Sequence, residues 1–508
     1  MLFNKKFYYK YFSYTKYLLI LFSFWISINT GSKYLAIDNL SWQISNNTFN
    51  FVRAILPYFI LIYFFIYETK NYNNKLFNFD VIFKLFFLYG SFQILGLIYK
   101  FDDLHEHYWI VCLFSVLIFY NLIKEKYDEK LFNFIFLINI IAILLVFSIF
   151  IFITFKQNIL SEHLLYDSGT ASIIYNTEHL PRSSGLSRMA LILFIFFNSL
   201  YCSKKFNKKI NIFLNITNIL LISIIFLLQS RGIFLSYVLI FIGIIIFYRL
   251  KNIIQYFCFM ILIPILLFIS YPNIKNILIE KYGKETTLLY DGSPSYKLQN
   301  KIKLKNFEIH LRDNLLSTND SLNENSLLDK IQSFSNNRID AWTFLLQIFF
   351  KNNLSDKIKN KLLKSGYDLN GFKEIKKRNL ITGYGPQADR HILYNTTQIH
   401  ESPLILGPYG YNASNGIIYS LVCSGLLGMF CFIIINLIIF FRIIKLLIHH
   451  FKMSNLNSKP FLSSAIFSIL FLQMRVLFEN SFSVFGVDLL VFMSAYIIIQ
   501  TEYRKLKN

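Results

Sequence analysis

The stretch GIIYSLVCSGLLGMFCFIIINLIIFF occupies positions 416–441 and contains no charged residue. A membrane-spanning helix needs about 20 consecutive apolar residues, so this stretch predicts such a helix. It directly follows Asn412-Ala413-Ser414-Asn415, which closes a long polar insert beginning near Pro272. The fold therefore depends on how many spans surround this insert and on which side of the membrane it lies.

The composition of the whole chain is that of a membrane protein. Its 508 residues are 55% hydrophobic and 18% aromatic, with a mean hydropathy of +0.45, whereas soluble domains are typically about 45–50% apolar. The formal charge of +22 comes mainly from short connections between apolar runs. That placement argues against nucleic-acid binding and indicates a role in membrane orientation.

Twelve apolar runs are candidate spans, which predicts an all-α, polytopic integral membrane protein with about 12 transmembrane helices. Residues 1–271 would contain helices 1–9, residues 272–415 the large insert with short helices of its own, and residues 416–508 helices 10–12. The runs lie near residues 14–31, 50–68, 81–99, 106–123, 131–155, 185–202, 210–229, 232–250, 253–271, 416–441, 461–478 and 483–500.

Lysine and arginine residues accumulate in alternate connections, as the positive-inside rule requires. Both termini are therefore predicted to be cytoplasmic, and the insert is predicted to lie outside. The basic connections contain Lys5, Lys6 and Lys10; Lys70 and Lys75; Lys124, Lys126 and Lys130; Lys204, Lys205, Lys208 and Lys209; Arg249 and Lys251; Arg442, Lys445, Lys452 and Lys459; and Arg504, Lys505 and Lys507.

Several arginines gather at the predicted outward ends of the spans. Arg182 and Arg188 flank the start of the sixth span, and Arg231 lies in the tight turn before the eighth. Arg338 opens a predicted helix of the insert, four residues before Trp342. A single boundary arginine usually extends to lipid headgroups. As a set, these arginines predict a bound anion, because guanidinium pairs bidentately with phosphate.

Two further features concern the insert helix and the eleventh span. The helix that Asn337 would cap has a predicted apolar face of Trp342, Leu345, Phe349 and Phe350. Arg475 lies well inside the eleventh span, where a charge needs a partner or a function. Glu479 follows one helical turn later and is the predicted partner.

At these residues the chain resembles the bacterial O-antigen ligase and polymerase family. Members carry a Ser-Arg-Gly turn between spans, similar to Ser230-Arg231-Gly232, and an Arg-x-x-x-Trp in a large periplasmic loop, similar to Arg338 and Trp342. A Gly-x-Gly-x turn resembles Gly383-Tyr384-Gly385-Pro386. The loop of the family closes with His-Asn followed by two glycines, and Asn415, Gly425 and Gly428 have that spacing. This chain has Ser414 where ligases have the histidine, which favours a polymerase.

The resemblance implies a multi-pass enzyme of the bacterial cytoplasmic (inner) membrane. It would transfer an undecaprenyl diphosphate-linked oligosaccharide to a sugar hydroxyl of an acceptor glycan, at the periplasmic face, without metal or cofactor. A chain-length regulator is a candidate partner. The diphosphate would contact Arg182, Arg188, Arg231 and Arg338, with Arg231, Arg338 and the candidate base His400 in catalytic roles. Trp342, Asn415, Arg475 and Glu479 would support the site, and Tyr384 is an exposed candidate for sugar stacking.

Three alternatives stay open. A ligase would instead transfer the glycan to lipid A core. A metal-dependent lipid-linked glycosyltransferase would use the run Asp102-Asp103-Leu104-His105-Glu106-His107, which has suitable ligand types. A flippase or transporter would carry charges near the midplane of several helices and repeated halves. Arg475 is almost the only deep charge, and the two halves of the chain do not match.

Overall fold

A computed structural model describes residues 5–28, 40–63, 66, 80–98, 107–125, 128–158, 183–203, 206–228, 230–248, 253–270, 338–351, 355, 356, 359, 379–395, 413–453 and 456–506. Every regular element within these ranges is helical. The longer helices are α1 (Lys5–Ser27), α2 (Leu40–Tyr63), α3 (Val81–Ile98), α4 (His107–Glu125), α5 (Glu129–Asn158), α6 (Ser183–Cys202), α7 (Lys208–Leu228), α8 (Arg231–Tyr248), α9 (Ile253–Ser270), α10 (Arg338–Lys351), α11 (Ala388–Asn395), α12 (Gly416–Met453), α13 (Pro460–Val476) and α14 (Val487–Lys505).

Seven of the described helices, α4 to α9 and α12, are long and apolar enough to cross a membrane. The protein is therefore an all-helical, multi-pass membrane protein. Helices also occupy the other predicted span positions, as α1, α2, α3, α13 and α14. Within the described residues these five helices do not meet the same length and composition criteria, so the count of about twelve spans stays a prediction.

The last helix, α14, is the centre of the bundle. Every residue from Val487 to Gln500 is buried, because α14 packs against α4, α5, α12 and α13. A helix surrounded by protein does not need a lipid-compatible surface. This explains why α14 contains Asp488 and Gln500 and is less apolar than helices that face lipid.

Buried polar side chains connect the first helices to this centre. The indole N–H of Trp25 in α1 donates to Oδ1 of Asn139 in α5 at 2.9 Å. The amide of Asn139 donates in turn to the Tyr120 hydroxyl of α4, at 3.1 Å, and to the carbonyl of Leu490 in α14. In an apolar interior such satisfied hydrogen bonds fix which helices are neighbours.

Helix α9 contains a π-helical turn from Cys258 to Leu262, just before Pro264. Proline has no backbone N–H, so it cannot bond the carbonyl of Met260 four residues earlier. The Tyr237 hydroxyl of α8 donates to that carbonyl at 2.7 Å instead. The neighbouring helix thereby satisfies the backbone group that proline leaves unpaired.

The polar helix ends form two groups that lie near opposite ends of α14. Asp488 lies in the first turn of the helix, and Gln500 lies about 18 Å further along at 1.5 Å per residue. Near Gln500, Arg442 of α12 contacts Asp80 at 3.4 Å, the Tyr496 hydroxyl at 2.6 Å and Oε1 of Gln500 at 2.5 Å. We call this the Asp80 end and the other the Asp488 end; the Asp80 end is the one predicted to be cytoplasmic.

Candidate functional site

Two arginines share one buried carboxylate at the Asp488 end. Nη1 of Arg188 lies 3.1 Å from Oδ1 of Asp488, and Nη1 of Arg475 contacts Oδ2 of the same side chain. The side chains of Arg188, Arg475 and Asp488 are 17%, 7% and 2% exposed. Three helices supply them, since Arg188 belongs to α6, Arg475 to α13 and Asp488 to α14. Two guanidinium groups around one carboxylate give this triad a net positive charge.

Helix geometry favours the Arg475–Asp488 pair. Arg475 lies in the last turn of α13 and Asp488 in the first turn of α14. The partial negative charge at a helix C-terminus favours a cation, and the partial positive charge at an N-terminus favours an anion. Each side chain is therefore stabilised by its own helix as well as by its partner.

The predicted pairing of Arg475 with Glu479 is wrong. The carboxylate that pairs with Arg475 belongs to Asp488, while the backbone N–H of Glu479 donates to the carbonyl of Arg475 at 2.8 Å. Glu479 still acts electrostatically on Arg188. Glu479 follows the end of α13, whereas α14 returns against α13 and presents Asp488 from its first turn. Asp488 was missed, although a carboxylate inside a predicted span is the signal that could have identified it.

Arg231 lies beside the same connection between α13 and α14. It is the first residue of α8, and its neighbour Gly232 packs against Phe478, where an added Cβ would lie 3.5 Å from the Phe478 Cβ. Phe478 directly precedes Glu479. The Ser230-Arg231-Gly232 turn thus lies at the Asp488 end.

Asn415 joins the end of the insert to this group. Its Oδ1 accepts the backbone N–H groups of Ile417 and Ile418, at 2.9 and 3.0 Å, and so caps α12. Its Nδ2 donates to the carbonyl of Leu477 at 3.1 Å. Leu477 lies two residues after Arg475. The side chain of Asn415 therefore caps the start of α12 and also contacts the end of α13.

Trp342 holds the insert helix α10 against the same segment. Its indole N–H donates to the carbonyl of Ala413 at 2.7 Å. Leu345 and Phe349 are buried as predicted, but Phe350 is 40% exposed and does not belong to the apolar face. Phe350 follows Phe349 directly, and adjacent residues point about 100° apart on a helix. Arg338 begins α10, one turn before Trp342.

The two glycine-containing sequences of the predicted site meet in the structure. Helix α12 is broken at Gly425, whose φ and ψ are 67° and −170°. The segment around Gly383 fills the break. Its backbone N–H groups at Tyr384 and Gly385 donate to the carbonyls of Val422 and Cys423, at 3.0 and 2.9 Å. The N–H of Leu426 donates back to the carbonyl of Leu380 at 2.9 Å.

Close approach explains why glycine occupies these positions. An added Cβ at Gly425 would overlap the carbonyl of Ile381, and one at Gly383 would overlap the backbone N of Gly425. Gly96 of α3 packs equally closely on the backbone of Gly385. The segment around Gly383 is therefore held between α3 and α12, and Tyr384 is buried against Phe349 rather than exposed as predicted.

Several predicted site residues lie outside the described part of the chain. These are Arg182, His400, the side chain of Arg338, the run from Asp102 to Glu106, and the proposed cap Asn337. Among described residues, the structure brings together Arg188, Arg231, Trp342, Asn415, Arg475 and Glu479. A comparison with protein-family models found no match, and neither did a search of curated proteins.

Proposed function

We propose that the protein is a polysaccharide polymerase. It transfers an oligosaccharide from undecaprenyl diphosphate to a sugar hydroxyl of an acceptor repeat unit, on the side of the membrane where the Asp488 end lies. The resemblance of the motifs to the O-antigen ligase and polymerase family suggested this activity. The observation that carries the proposal is the contact of Arg188 and Arg475 with a single carboxylate.

The charge of this triad suits a diphosphate leaving group. When the bond between the sugar and the diphosphate breaks, negative charge develops on the diphosphate, and cations fixed in a poorly hydrated place stabilise it. Asp488 holds the two guanidinium groups in place but neutralises only one of them. Glu479 also acts on Arg188, and Arg231 on the adjacent turn keeps the sum of these five groups positive.

Hydrogen bonds connect the insert to the segment that follows Arg475. Trp342 of α10 bonds to Ala413, and Asn415 bonds to Leu477 beside Arg475. Arg338 starts the helix that contains Trp342. This arrangement supports a role for the insert in covering the carrier headgroup and presenting the acceptor sugar.

The test uses purified protein in lipid, given an undecaprenyl diphosphate-linked repeat unit with EDTA present. The products are separated by chain length. We expect a ladder of lengths from the wild type and no ladder from Arg475→Gln or Arg188→Gln. Arg475→Lys keeps the charge but loses the planar guanidinium that can contact two phosphate oxygens at once, so it should retain part of the activity.

Arg442→Gln is the matched control, because it removes an arginine–carboxylate pair at the Asp80 end. Activity per folded molecule should stay at the wild-type level in this control. A full ladder from both Arg188→Gln and Arg475→Gln would contradict the proposal. A single transfer only after addition of lipid A core would instead identify a ligase.

A further inference from the structure

A second polar group lies in the insert at the Asp488 end, apart from the arginine triad. Asp389 in the first turn of α11 is 0% exposed, and Gln387, just before this helix, is 4% exposed. The φ angle of Gln387 is +62°, in the left-handed region that non-glycine residues rarely adopt. The fold thus holds two strongly polar side chains in its interior through an unusual backbone conformation.

Part of this group has no hydrogen-bond partner. Oδ2 of Asp389 accepts the backbone N–H of Ala413 at 2.7 Å. Among the described residues, Oδ1 of Asp389, both amide atoms of Gln387 and Oδ1 of Asn480 have no partner. Buried polar atoms are nearly always paired, so each exception needs an explanation. A ligand hydroxyl both donates and accepts, so it can pair with a carboxylate oxygen such as Oδ1 of Asp389 and with an amide such as that of Gln387.

The geometry points to Asp389 and Gln387 as the site for the acceptor sugar, with Asp389 as the catalytic residue that accepts the proton of the attacking hydroxyl. This inference rests on the proposed function, because it names the acceptor subsite of the same reaction. The hydroxyl would donate to Oδ1 of Asp389 and accept from the amide of Gln387. His400 would then not be needed as the base.

Two connections place this group next to the arginine triad. The side chain of Asn480 approaches Asp389, and Asn480 belongs to the connection between Arg475 and Asp488. Ala413, which bonds to Asp389, lies two residues before Asn415, which bonds to Leu477. The proton acceptor and the cations thus lie on adjoining segments of one site.

The surroundings of Asp389 raise its pKa, which is the direction that suits a general base. Tyr89 of α3, Tyr419 and Cys423 of α12, Arg390 of α11 and Asn480 face it. Burial raises the pKa of Asp389 above its ordinary value of 3.8. The backbone N–H of Ala413, the charge and backbone N–H of Arg390, and the side chain of Asn480 favour the charged form and offset only part of this rise. A base is most effective when its pKa lies close to the working pH.

One bond forms and one bond breaks at the anomeric carbon of the donor sugar. The acceptor oxygen forms a bond to the anomeric carbon of the donor sugar, and its proton moves to Oδ1 of Asp389. The bond between the anomeric carbon and the diphosphate oxygen breaks, and its electron pair leaves with the diphosphate, which contacts Arg188 and Arg475. Asp389 then releases the proton to water.

The test compares Asp389→Asn with the wild type in the ladder assay and in binding of undecaprenyl diphosphate. The asparagine carbonyl can still accept the N–H of Ala413, so the variant keeps the local fold. We expect unchanged carrier binding and transfer about 10²–10⁴-fold slower, the usual contribution of a general base. The Asp389→Glu variant should transfer the oligosaccharide slowly, and the pH dependence of its transfer rate should be shifted. Asp356→Asn, an exposed change in the same insert, is the matched control and should behave as the wild type.

Each outcome decides a separate point. A ladder from the wild type and an equal ladder from Asp389→Asn overturn this inference and leave the proposed polymerase intact, whereas no ladder from the wild type overturns the proposed function itself. If Asp389→Asn does not fold, wild-type protein is treated with dicyclohexylcarbodiimide, which modifies buried protonated carboxyl groups, and is analysed by mass spectrometry. Transfer should fall in proportion to the label on Asp389. Full transfer with Asp389 labelled, or no label on Asp389, contradicts the inference.

Discussion

Arg475 and Asp488 are 13 residues apart in the chain and form a buried ion pair where α13 ends and α14 begins. Arg188 approaches the same carboxylate from α6. The pair therefore fixes the angle at which α14 returns against α13, and it also orients the second arginine. Substitutions at Asp488 can therefore separate the contribution of this carboxylate to stability from its effect on anion binding.

Replacing Asp488 by asparagine should destabilise the protein and make it depend on an added anion. The variant leaves two buried guanidinium groups without a carboxylate, and breaking a buried pair typically costs about 3–5 kcal/mol. Undecaprenyl diphosphate should raise the unfolding temperature of Asp488→Asn more than that of the wild type, because it replaces the lost negative charge. The Asp80→Asn variant, changed at the other end, should also be destabilised, but undecaprenyl diphosphate should not raise its unfolding temperature more than that of the wild type. Equal shifts in all three proteins would exclude an anion site at the triad.

Replacing Gly425 by alanine should disrupt the break in α12. The φ and ψ angles at this position are accessible almost only to glycine and cost about 1–3 kcal/mol for other residues, before the overlap with the Ile381 carbonyl is counted. Gly486→Ala is the control. Gly486 has an extended backbone with a φ of 169°, and an added Cβ meets nothing within 4 Å, so its effect should stay within about 0.5 kcal/mol. Thermal unfolding of both variants checks this, and similar unfolding temperatures would contradict the assigned role of Gly425.

Asn415 should show separable contributions from its two hydrogen-bonding atoms. Asn415→Ala removes the helix cap, at a cost of about 0.5–2 kcal/mol, and also removes the bond to Leu477. Asn415→Asp keeps the oxygen that caps α12 but loses the N–H donor. The stability of this variant should therefore lie between that of the Asn415→Ala variant and that of the wild type. Unfolding of the three proteins measures this order. Asn436→Ala, which removes a bond within α12 only, tests whether loss of transfer activity is specific to position 415.

The charge of Asp389 should make stability fall as the pH rises. The pKa of Asp389 is raised in the folded protein, so the folded state binds this proton more tightly than the unfolded chain. The stabilisation is present below the unfolded pKa of about 3.9 and is lost as the pH passes the folded pKa. The unfolding temperature of Asp389→Asn relative to the wild type should therefore increase with pH from about 4 upwards. A difference that does not change with pH would show that Asp389 keeps an ordinary pKa.

Some of the site was predictable because its signals are local. Asn415 before an apolar run is a helix cap by residue type. Trp342, Leu345 and Phe349 share a helix face by spacing alone, and both features are present in the structure. The predicted role of Arg475 as a charge that needs a partner was also useful, although the named partner was wrong.

The all-helical membrane character and the approximate positions of the helices follow from the amino-acid sequence, since apolar length and composition are properties of each segment. Three features were visible only in the folded protein: Asp488 and not Glu479 pairs with Arg475, the segment around Gly383 enters the break at Gly425, and Asp389 is buried. These relationships depend on which helix ends become neighbours when α14 packs in the centre of the bundle. Long-range packing determines which helix ends become neighbours, and the local spacing of apolar residues does not predict it.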